Sequence, residues 1–412
     1  MGKGGRSGRI VNDFGPAGHK GAKKASGTAK AKSGVKNLRN KAEAPAEIDA
    51  DVPLDAVVPL KLQQLTLDIF KDTFAELLGS VTLQALLQEV KAALYDRDFH
   101  RAFGRKDYLE AYSARWSPSR ALCYQSLLVD LRQHLAGLFS HCQPGQPGAG
   151  ITLESTLQVV ALGGGAAEVV AFAGFLRYLN DVPPPQATSD ADINLEDLSI
   201  TDAVKREISS GKSVTARKQD IEIILIDSAP WQDVCSRLSN GLTTPPPLSK
   251  YANAIARQSH CSLISPESFK STSLVENILH MDQAQLDSLF GTQPVLCSLL
   301  FTLNELYTAS ISKTTTFLLN LTTAVKSGTL LLVVDSPGSY SEAQVGLEAK
   351  RYPMKWLLDH TLLDAKQSKG SQETFWAKIM SDDSRWFRIP ESLRYPIPLE
   401  NMRYQLHLYR RI

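Results

Sequence analysis

Apolar and polar positions follow two different periods along the chain, and the change between them falls near residue 150. From Lys61 to Phe139 apolar residues recur every three or four positions, as in LQQLTLDIFKDTFAELL at 62–78. This spacing places them on one helix face and predicts about four or five amphipathic helices in a segment that we delimit as 60–145. The sequence HCQPGQPGAG at 141–150 ends the pattern.

Beyond this break, short apolar runs alternate with longer helical or irregular segments, which indicates an α/β fold with a parallel sheet covered by helices on both faces. The C-terminal stretch WFRIPESLRYPIPLENMRYQLHLYRRI offers two strands with no helix between them. We therefore predict a doubly wound, Rossmann-like domain over 151–412 that ends in a hairpin. Pro-rich stretches near 180–218 and 239–250 read as insertions. The predicted parallel strands are Leu157–Leu162, Ile221–Ile226, Leu296–Thr302 and Thr329–Val334.

The N-terminal residues differ in charge from the rest of the chain. Residues 1–41 contain eleven Lys or Arg and one acid, Asp13, whereas residues 42–412 contain 34 basic and 42 acidic residues. A segment so basic, with few apolar side chains, cannot bury a core, so we expect residues 1–59 to form a disordered tail and linker. Such a tail contacts phosphates, addresses the protein to the nucleus or nucleolus, or only aids solubility, and its composition leaves these readings open.

Composition also disfavours several classes of protein. No apolar run reaches 18 residues, and the N-terminus lacks the apolar segment of a signal peptide, so we expect neither a membrane span nor secretion. The five cysteines form no CxxC pair and the eight histidines show no metal spacing, so no metal site is expected. Enzymes that methylate pyrimidine carbon 5 through a covalent adduct usually carry their cysteine nucleophile directly after a proline. None of the five cysteines follows a proline, so this class of enzyme is disfavoured.

Three consecutive glycines join a predicted strand to a predicted helix in VVALGGGAAEVVAF at 159–172. Gly163, Gly164 and Gly165 could bring backbone N–H groups and a helix N-terminus against a nucleotide-type ligand. The pattern is GxGxxE and not the dinucleotide fingerprint GxGxxG, so a tight turn that only packs closely remains the alternative.

Polar side chains follow the other predicted strands. Asp227 ends IEIILID at the sheet edge where ligands bind, and it can accept hydrogen bonds from both ribose hydroxyls or cap the next helix. Asn304 and Glu305 follow the strand at 296–302 and can hold a base edge or accept a proton. Glu305 could instead face the positive end of a helix as a first-turn carboxylate. Asp335 is a weaker candidate of the same kind.

Cations and aromatic residues alternate in DRDFHRAFGRKDYLEAYSARWSPSRALCYQ at 96–125. Single-stranded RNA is bound by this combination, with cations for phosphates and aromatic faces for bases. An amphipathic helix pair packed on the sheet, with its arginines in solvent, explains the pattern equally well.

Five blocks together resemble the fungal 25S ribosomal RNA uridine-N3 methyltransferase family, which belongs to the class I S-adenosylmethionine-dependent methyltransferases. The resemblance spans about residues 60–412. It implies a Rossmann-like sheet closed by an antiparallel terminal strand. The blocks are DFHRAFGRKDYLEAYSARWSPSRALCY at 98–124, the glycine turn, IILIDSAPW at 223–231, LLFTLNELY at 299–307 and ENMRYQLHLYRRI at 400–412.

The same resemblance implies S-adenosylmethionine as cofactor, with Gly163 and Gly165 at its methionine moiety, Asp227 at its ribose, and Glu276 and Asn277 near its adenine. The implied reaction is methylation of N3 of a uridine in large-subunit ribosomal RNA, as naked RNA or pre-ribosome. We expect a location in the nucleus or nucleolus, and the cytoplasm is left open. No membrane or metal partner is expected.

Two alternatives to this reaction remain. One is methylation of another RNA position or of a protein. The other is a catalytically silent Rossmann-like ribosome-assembly factor that binds RNA through its basic tail and helical segment. Binding of S-adenosylmethionine separates either enzyme from the silent factor.

Overall fold

The computed structural model of the protein describes residues 57–141, 155–181, 218–246, 260–338, 340–345, 348–364 and 374–412, together with isolated positions between 248 and 257. The basic tail and most of the linker lie outside the described residues. So does the first predicted insertion, apart from its first two residues and residue 218, and part of the second insertion.

Short helices fill the segment before the sheet. Seven α-helices appear there instead of about four or five, because single non-helical residues, Phe74, Trp116 and Leu131, divide longer helical stretches. The helices are α1 Leu60–Thr73, α2 Ala75–Leu78, α3 Leu83–Tyr95, α4 Phe99–Phe103, α5 Lys106–Arg115, α6 Ser117–Asp130 and α7 Arg132–Leu135.

One mixed sheet organises the rest of the described chain. Its strands are β1 Ser140–His141, β2 Ser155–Leu162, β3 Gln219–Asp227, β4 Phe269–Val275, β5 Leu296–Leu300, β6 Leu330–Asp335, β9 Trp376–Phe387 and β10 Met402–Arg411. They lie in the order β4-β3-β2-β5-β6-β10-β9, with β1 paired to β2. Strands β2 to β6 are mutually parallel, whereas β10 is antiparallel to both β6 and β9. The predicted α/β class and antiparallel terminal strand are thereby confirmed.

Helices cover both faces of this sheet, and a small hairpin follows β6. The hairpin pairs β7 Tyr340–Val345 with β8 Glu348–Pro353. The helices are α8 Ala166–Asp181, α9 Gln232–Thr243, α10 Gln283–Phe290, α11 Leu303–Ala309, α12 Ile311–Ala324 and α13 Met354–Leu362.

Alternate residues of the central strand feed two separate cores, because successive side chains of a strand point to opposite faces. Val159 and Ala161 of β2 join a core built largely with the N-terminal helices and α8. Val160 and Leu162 join a second core with α10, α12 and α13. The N-terminal helices thus share a core with the sheet and form one wall of it.

Two details of the strand prediction were wrong. Strand β4 was missed, because FKSTSLV is mostly polar and exposed, as an edge strand can be. Strand β5 ends at Leu300 and not at Thr302, because Phe301 adopts a left-handed backbone with φ of +59° that a strand cannot contain.

Candidate active site

Four segments meet at the carboxyl edge of the parallel strands, where open α/β sheets bind ligands. The glycines 163–165 follow β2, Asp227 ends β3, residues 301–305 follow β5, and Asp335 ends β6. Because β3, β2, β5 and β6 are neighbours in the sheet, these segments line one crevice.

The start of the glycine corner is closely packed by the protein's own side chains. Gly163 has a φ of +73°, and a Cβ atom there would lie 2.4 Å from the side chain of Thr302. Its N–H donates to the carbonyl of Ile226 over 2.7 Å. A Cβ at Gly164 would lie 2.6 Å from the Cβ of Ala161. Close packing therefore accounts for both glycines without a ligand.

The end of the corner faces an indole ring. A Cβ at Gly165 would lie 3.0 Å from the ring of Trp231, so the indole occupies the space beside this position. The Gly165 N–H donates to a carboxylate oxygen of buried Glu168 over 2.8 Å. That the backbone of the corner borders the cofactor stays a prediction.

An aromatic cluster from the helical segment packs against this indole. The ring centroid of Trp231 lies 5.8 Å from that of Phe103 and 6.0 Å from that of Tyr112. Tyr112 also contacts Trp116, at 5.4 Å. These rings cover one another, so they favour the packed-helix interpretation of residues 96–125 over open faces for RNA bases.

Most of the basic side chains in that segment are paired with acids. Arg101 bonds Asp96 at 3.0 Å, Lys106 bonds Asp233 at 3.1 Å, and Arg115 bonds Glu400. These pairs leave less charge for phosphates than the sequence pattern predicted.

Arg97, which donates to the Thr308 hydroxyl over 3.3 Å, and Arg120 are the exceptions among the described pairs, and Arg120 is the more enclosed of the two. Its guanidinium carbon lies 5.5 Å from the ring centroid of Tyr112 and 5.2 Å from that of Phe301, and the described residues provide no ion pair for it. Burial lowers the pKa of Arg120, but Tyr112, Tyr124, Glu305 and Glu168 raise it by more, so the group stays charged. Arg120 is thus a cation beside the crevice, whereas the sequence pattern indicated it only as one of the cations of residues 96–125. One signal for this position was available, since Arg120 is an arginine on α6, a helix whose other side chains are mostly buried.

Backbone strain marks the same place. Phe301 is a bulky residue in the left-handed region, an arrangement that costs free energy and persists only where the surroundings enforce it. Its N–H donates to the carbonyl of Val334 over 2.7 Å, and its ring stacks on Tyr124 at 6.3 Å. The strained turn holds the ring against Arg120 and starts α11 at the crevice.

Two carboxyl groups at the strand ends are hydrogen-bonded, half-buried Asp227 and buried Asp335. Asp227 accepts the N–H of Ala229 over 2.7 Å and a bond from the Trp231 side chain, and burial raises its pKa to about 6. It does not cap α9, whose N-cap has no side-chain bond. Burial likewise raises the pKa of Asp335 to about 6.

Asp335 fixes the predicted polar pair. Its carboxylate accepts the N–H of Asn304 over 2.9 Å, which ties the first turn of α11 to the end of β6. The side-chain oxygen of Asn304 is buried and has no hydrogen-bond partner among the described residues. The Asn304 side-chain oxygen therefore keeps capacity to accept a hydrogen bond from a ligand.

Glu305 lies in the same first turn. Its side chain is exposed to solvent. Protein atoms of the crevice wall nevertheless lie around the carboxyl group. This enclosure raises the pKa of Glu305 to about 8, with Arg120 opposing the rise and Asp335 and Asp227 adding to it. A carboxyl group that titrates near neutral pH in a cleft is typical of catalytic acid–base sites.

The residues expected near an adenine lie beyond β4. The Glu276 N–H donates to the carbonyl of Asp227 over 2.9 Å, which places it beside the expected ribose site. The Asn277 side chain accepts the N–H of Leu279 over 3.0 Å and caps a short helical turn. Both side chains are exposed.

Within the described ranges, no helix is both long and apolar enough to cross a membrane. The same residues contain no group of three or more His, Cys, Asp or Glu side chains that could hold a metal ion.

The strand order, the antiparallel β10 and the glycine corner followed by an acid on the next strand define a class I methyltransferase fold. A family model described as "Putative SAM-dependent methyltransferase" matches residues 70–410, and the chain belongs to this family. It is 29% identical over 368 residues to the 25S rRNA (uridine(2843)-N(3))-methyltransferase of Saccharomyces cerevisiae, covering 87% of this chain and 88% of the yeast protein.

Two solved structures are also similar to this chain. One is a SAM-dependent methyltransferase from Methanosarcina mazei, with 8% identity, coverage of 62% of this chain and 92% of that chain, and a TM-score of 0.28. The other is a SAM-bound amino pentose methyltransferase from Micromonospora echinaspora, with 9% identity, coverage of 70% and 92%, and a TM-score of 0.26.

Proposed function

We propose that the protein methylates N3 of a uridine in large-subunit ribosomal RNA. The observation that carries the substrate assignment is the similarity to the yeast 25S rRNA enzyme, which extends over 87% of this chain and includes the crevice. The described crevice supplies groups suited to that reaction, on strands adjacent to the glycine corner.

The side chains around the crevice fit S-adenosylmethionine chemically. This cofactor supplies an electrophilic methyl group on a sulfonium, and it also carries an ammonium and a carboxylate. The carboxyl groups of Asp227 and Asp335 suit the positive charges. Arg120 suits the carboxylate, and Asp227 suits the ribose hydroxyls.

Glu305 is the proposed proton acceptor. Uridine N3 carries a hydrogen that must leave when the nitrogen is methylated, so a base is needed at that atom. With a pKa of about 8, Glu305 is mainly protonated at neutral pH and becomes a base as the pH rises. Positive charge brought near it favours its ionised form and so lowers its pKa.

Asn304 is the proposed orienting group. A uridine presents one N–H between two carbonyl oxygens, so a site that selects N3 needs an acceptor for the hydrogen and a donor for a carbonyl. Glu305 supplies the first and the Asn304 amide the second. Cytidine has an unprotonated N3 that would face the carboxylate unfavourably. The base must be unpaired or flipped, because pairing hides N3.

Mapping of modified uridines in ribosomal RNA from cells with and without the protein tests this function. The proposal expects one N3-methyluridine to disappear from the large-subunit RNA and to return with the wild-type protein but not with Glu305→Gln. If no N3-methyluridine is lost from the large-subunit RNA, and a methyl group is lost instead at another RNA position or in a protein, the substrate assignment is wrong.

A nuclear or nucleolar location is part of the proposal and is supported by the basic residues 1–41. A fluorescent fusion should accumulate there and lose that distribution when these residues are deleted. Fluorescence of the full chain that is confined to the cytoplasm would contradict it.

A further inference from the structure

An exposed tryptophan lies at the end of the sheet's outer strand. Trp386 is 54% exposed although it belongs to β9. The guanidinium carbons of Arg388 and Arg403 lie 5.3 Å and 5.7 Å from its ring centroid, within cation–π range. A large aromatic side chain left in solvent between two cations is a feature that packing does not require.

The cations beside this ring are not neutralised by the acids nearby. Asp382 bonds Arg385 at 2.7 Å, and Asp383 bonds Lys355 at 2.5 Å. Arg388 and Arg403 are exposed and form no ion pair among the described residues. Arg403 instead donates to the hydroxyl of Ser384 over 2.8 Å. Net positive charge therefore surrounds an indole that is 54% exposed.

Strand register places this surface beside the crevice. Arg403 is paired with Trp386 across β9 and β10, and Gln405, two residues further along β10, is paired with Asp335 of β6. Trp386 therefore lies at the same edge of the sheet as the carboxyl group that holds α11. Two strand spacings separate their strands, roughly 10 Å.

We propose that Trp386, Arg388 and Arg403 form a docking site for an unpaired nucleobase of the substrate RNA and the phosphates beside it. The inference rests on the proposed function and names where that RNA is held. Base–aromatic stacking tolerates any base, and arginine side chains supply phosphate contacts, so this combination fits a single strand. The charge suits RNA and repels other cationic surfaces.

The chain offers a matched control in Trp356, which is 49% exposed. Its ring stacks on Tyr352 and on His360, with centroids 5.1 Å apart in both cases. The described contacts of this ring are with Tyr352 and His360 and not with an arginine, so it lacks the cations of the proposed site. Trp356→Ala thus removes an exposed indole of similar size without removing the proposed platform.

The test measures binding of a fluorescein-labelled single-stranded oligouridine to the full chain by anisotropy at several salt concentrations. Trp386→Ala should weaken binding roughly 5- to 100-fold, the range that loss of one stacked base produces. Trp386→Phe should retain most of the affinity, and Trp356→Ala should leave it near wild type. Arg388→Gln and Arg403→Gln should each remove about one phosphate contact. Each should therefore lower the slope of log affinity against log salt concentration by about one.

A further readout separates this inference from the proposed function. S-adenosylmethionine affinity, measured by calorimetry, should be unchanged in Trp386→Ala. Wild-type oligouridine affinity in Trp386→Ala would overturn the docking site while leaving the methylation proposal standing. A protein that binds oligouridine through Trp386 but methylates no ribosomal uridine would overturn only the proposed function. If an acidic polyglutamate peptide binds through Trp386 and oligouridine does not, the partner is a protein and the inference is wrong.

Discussion

The two walls of the crevice are held by different forces. On the glycine side, the space beside each of the three glycines is filled by another side chain, and the clearest cases are Thr302 against Gly163 and Trp231 against Gly165. On the α11 side, a buried amide oxygen lacks a partner, a carboxyl group titrates near neutral pH, and Phe301 is strained. The first wall is a fixed surface set by shape, whereas the second retains unsatisfied groups where chemistry is expected.

The largest effect should come from the α11 wall. Glu305→Gln removes the proton acceptor, so the rate of methylation should fall about 10²–10⁴-fold while cofactor affinity barely changes. The wild-type rate should rise with pH up to about 8, because the carboxyl group must be ionised to act. Single-turnover rates across pH measure both. Glu76→Gln, on exposed α2, is the control, and equal rates for Glu305→Gln and wild type would move the base elsewhere.

On the glycine wall, Gly163→Ala should act on folding. The new Cβ combines left-handed strain, about 1–2 kcal/mol, with overpacking against Thr302, about 1–3 kcal/mol. The expected loss in unfolding free energy is thus about 2–5 kcal/mol by urea denaturation. Gly291→Ala is the matched control, since Gly291 has a φ of +58° with nothing within 4 Å. Equal losses in both variants would show that packing contributes nothing at the corner.

Arg120 connects the two walls, and its removal should act on cofactor binding. Arg120→Gln deletes a charge-assisted bond worth about 1.5–3 kcal/mol, so S-adenosylmethionine affinity should fall roughly 10- to 100-fold. Arg101→Gln removes an exposed arginine that is paired with Asp96 and serves as the control. Calorimetry that gives the same affinity for both variants would exclude the proposed carboxylate contact.

The smallest effect should be a pH dependence of cofactor affinity. Asp227 must be ionised to accept two hydroxyl hydrogens well, and burial raises its pKa to about 6. The ionised form is therefore lost as the pH falls through 6, and affinity should weaken below that value and be constant above it. Asp227→Asn should bind more weakly at pH 8 and show a flatter profile. An identical profile in the variant would assign the titration to another group.

Sequence patterns predicted the parts of the fold that local chemistry determines. The central strands β2, β3, β5 and β6 are dominated by apolar residues, as parallel strands covered on both faces are. The polar edge strand β4 lacks that signal, so its place in the sheet depends on pairing with β3.

Within the site, the residues at strand ends could be predicted, because topology alone brings such ends to one edge. Their partners could not. The contact of Thr302 with Gly163, the cap that Asp335 places on α11 and the position of Arg120 over Phe301 join residues distant in sequence. These contacts depend on packing between elements and leave no spacing pattern in the chain.

The central claim is that this crevice methylates uridine at N3, and nucleoside analysis of a purified reaction tests it most directly. The full chain, S-adenosylmethionine with a labelled methyl group and large-subunit ribosomal RNA from cells lacking the protein are incubated at pH 8, and the RNA is digested for mass spectrometry. The account predicts labelled N3-methyluridine with the wild-type protein and 10²–10⁴-fold less with Glu305→Gln. Label in another nucleoside, or none despite bound cofactor, would contradict it.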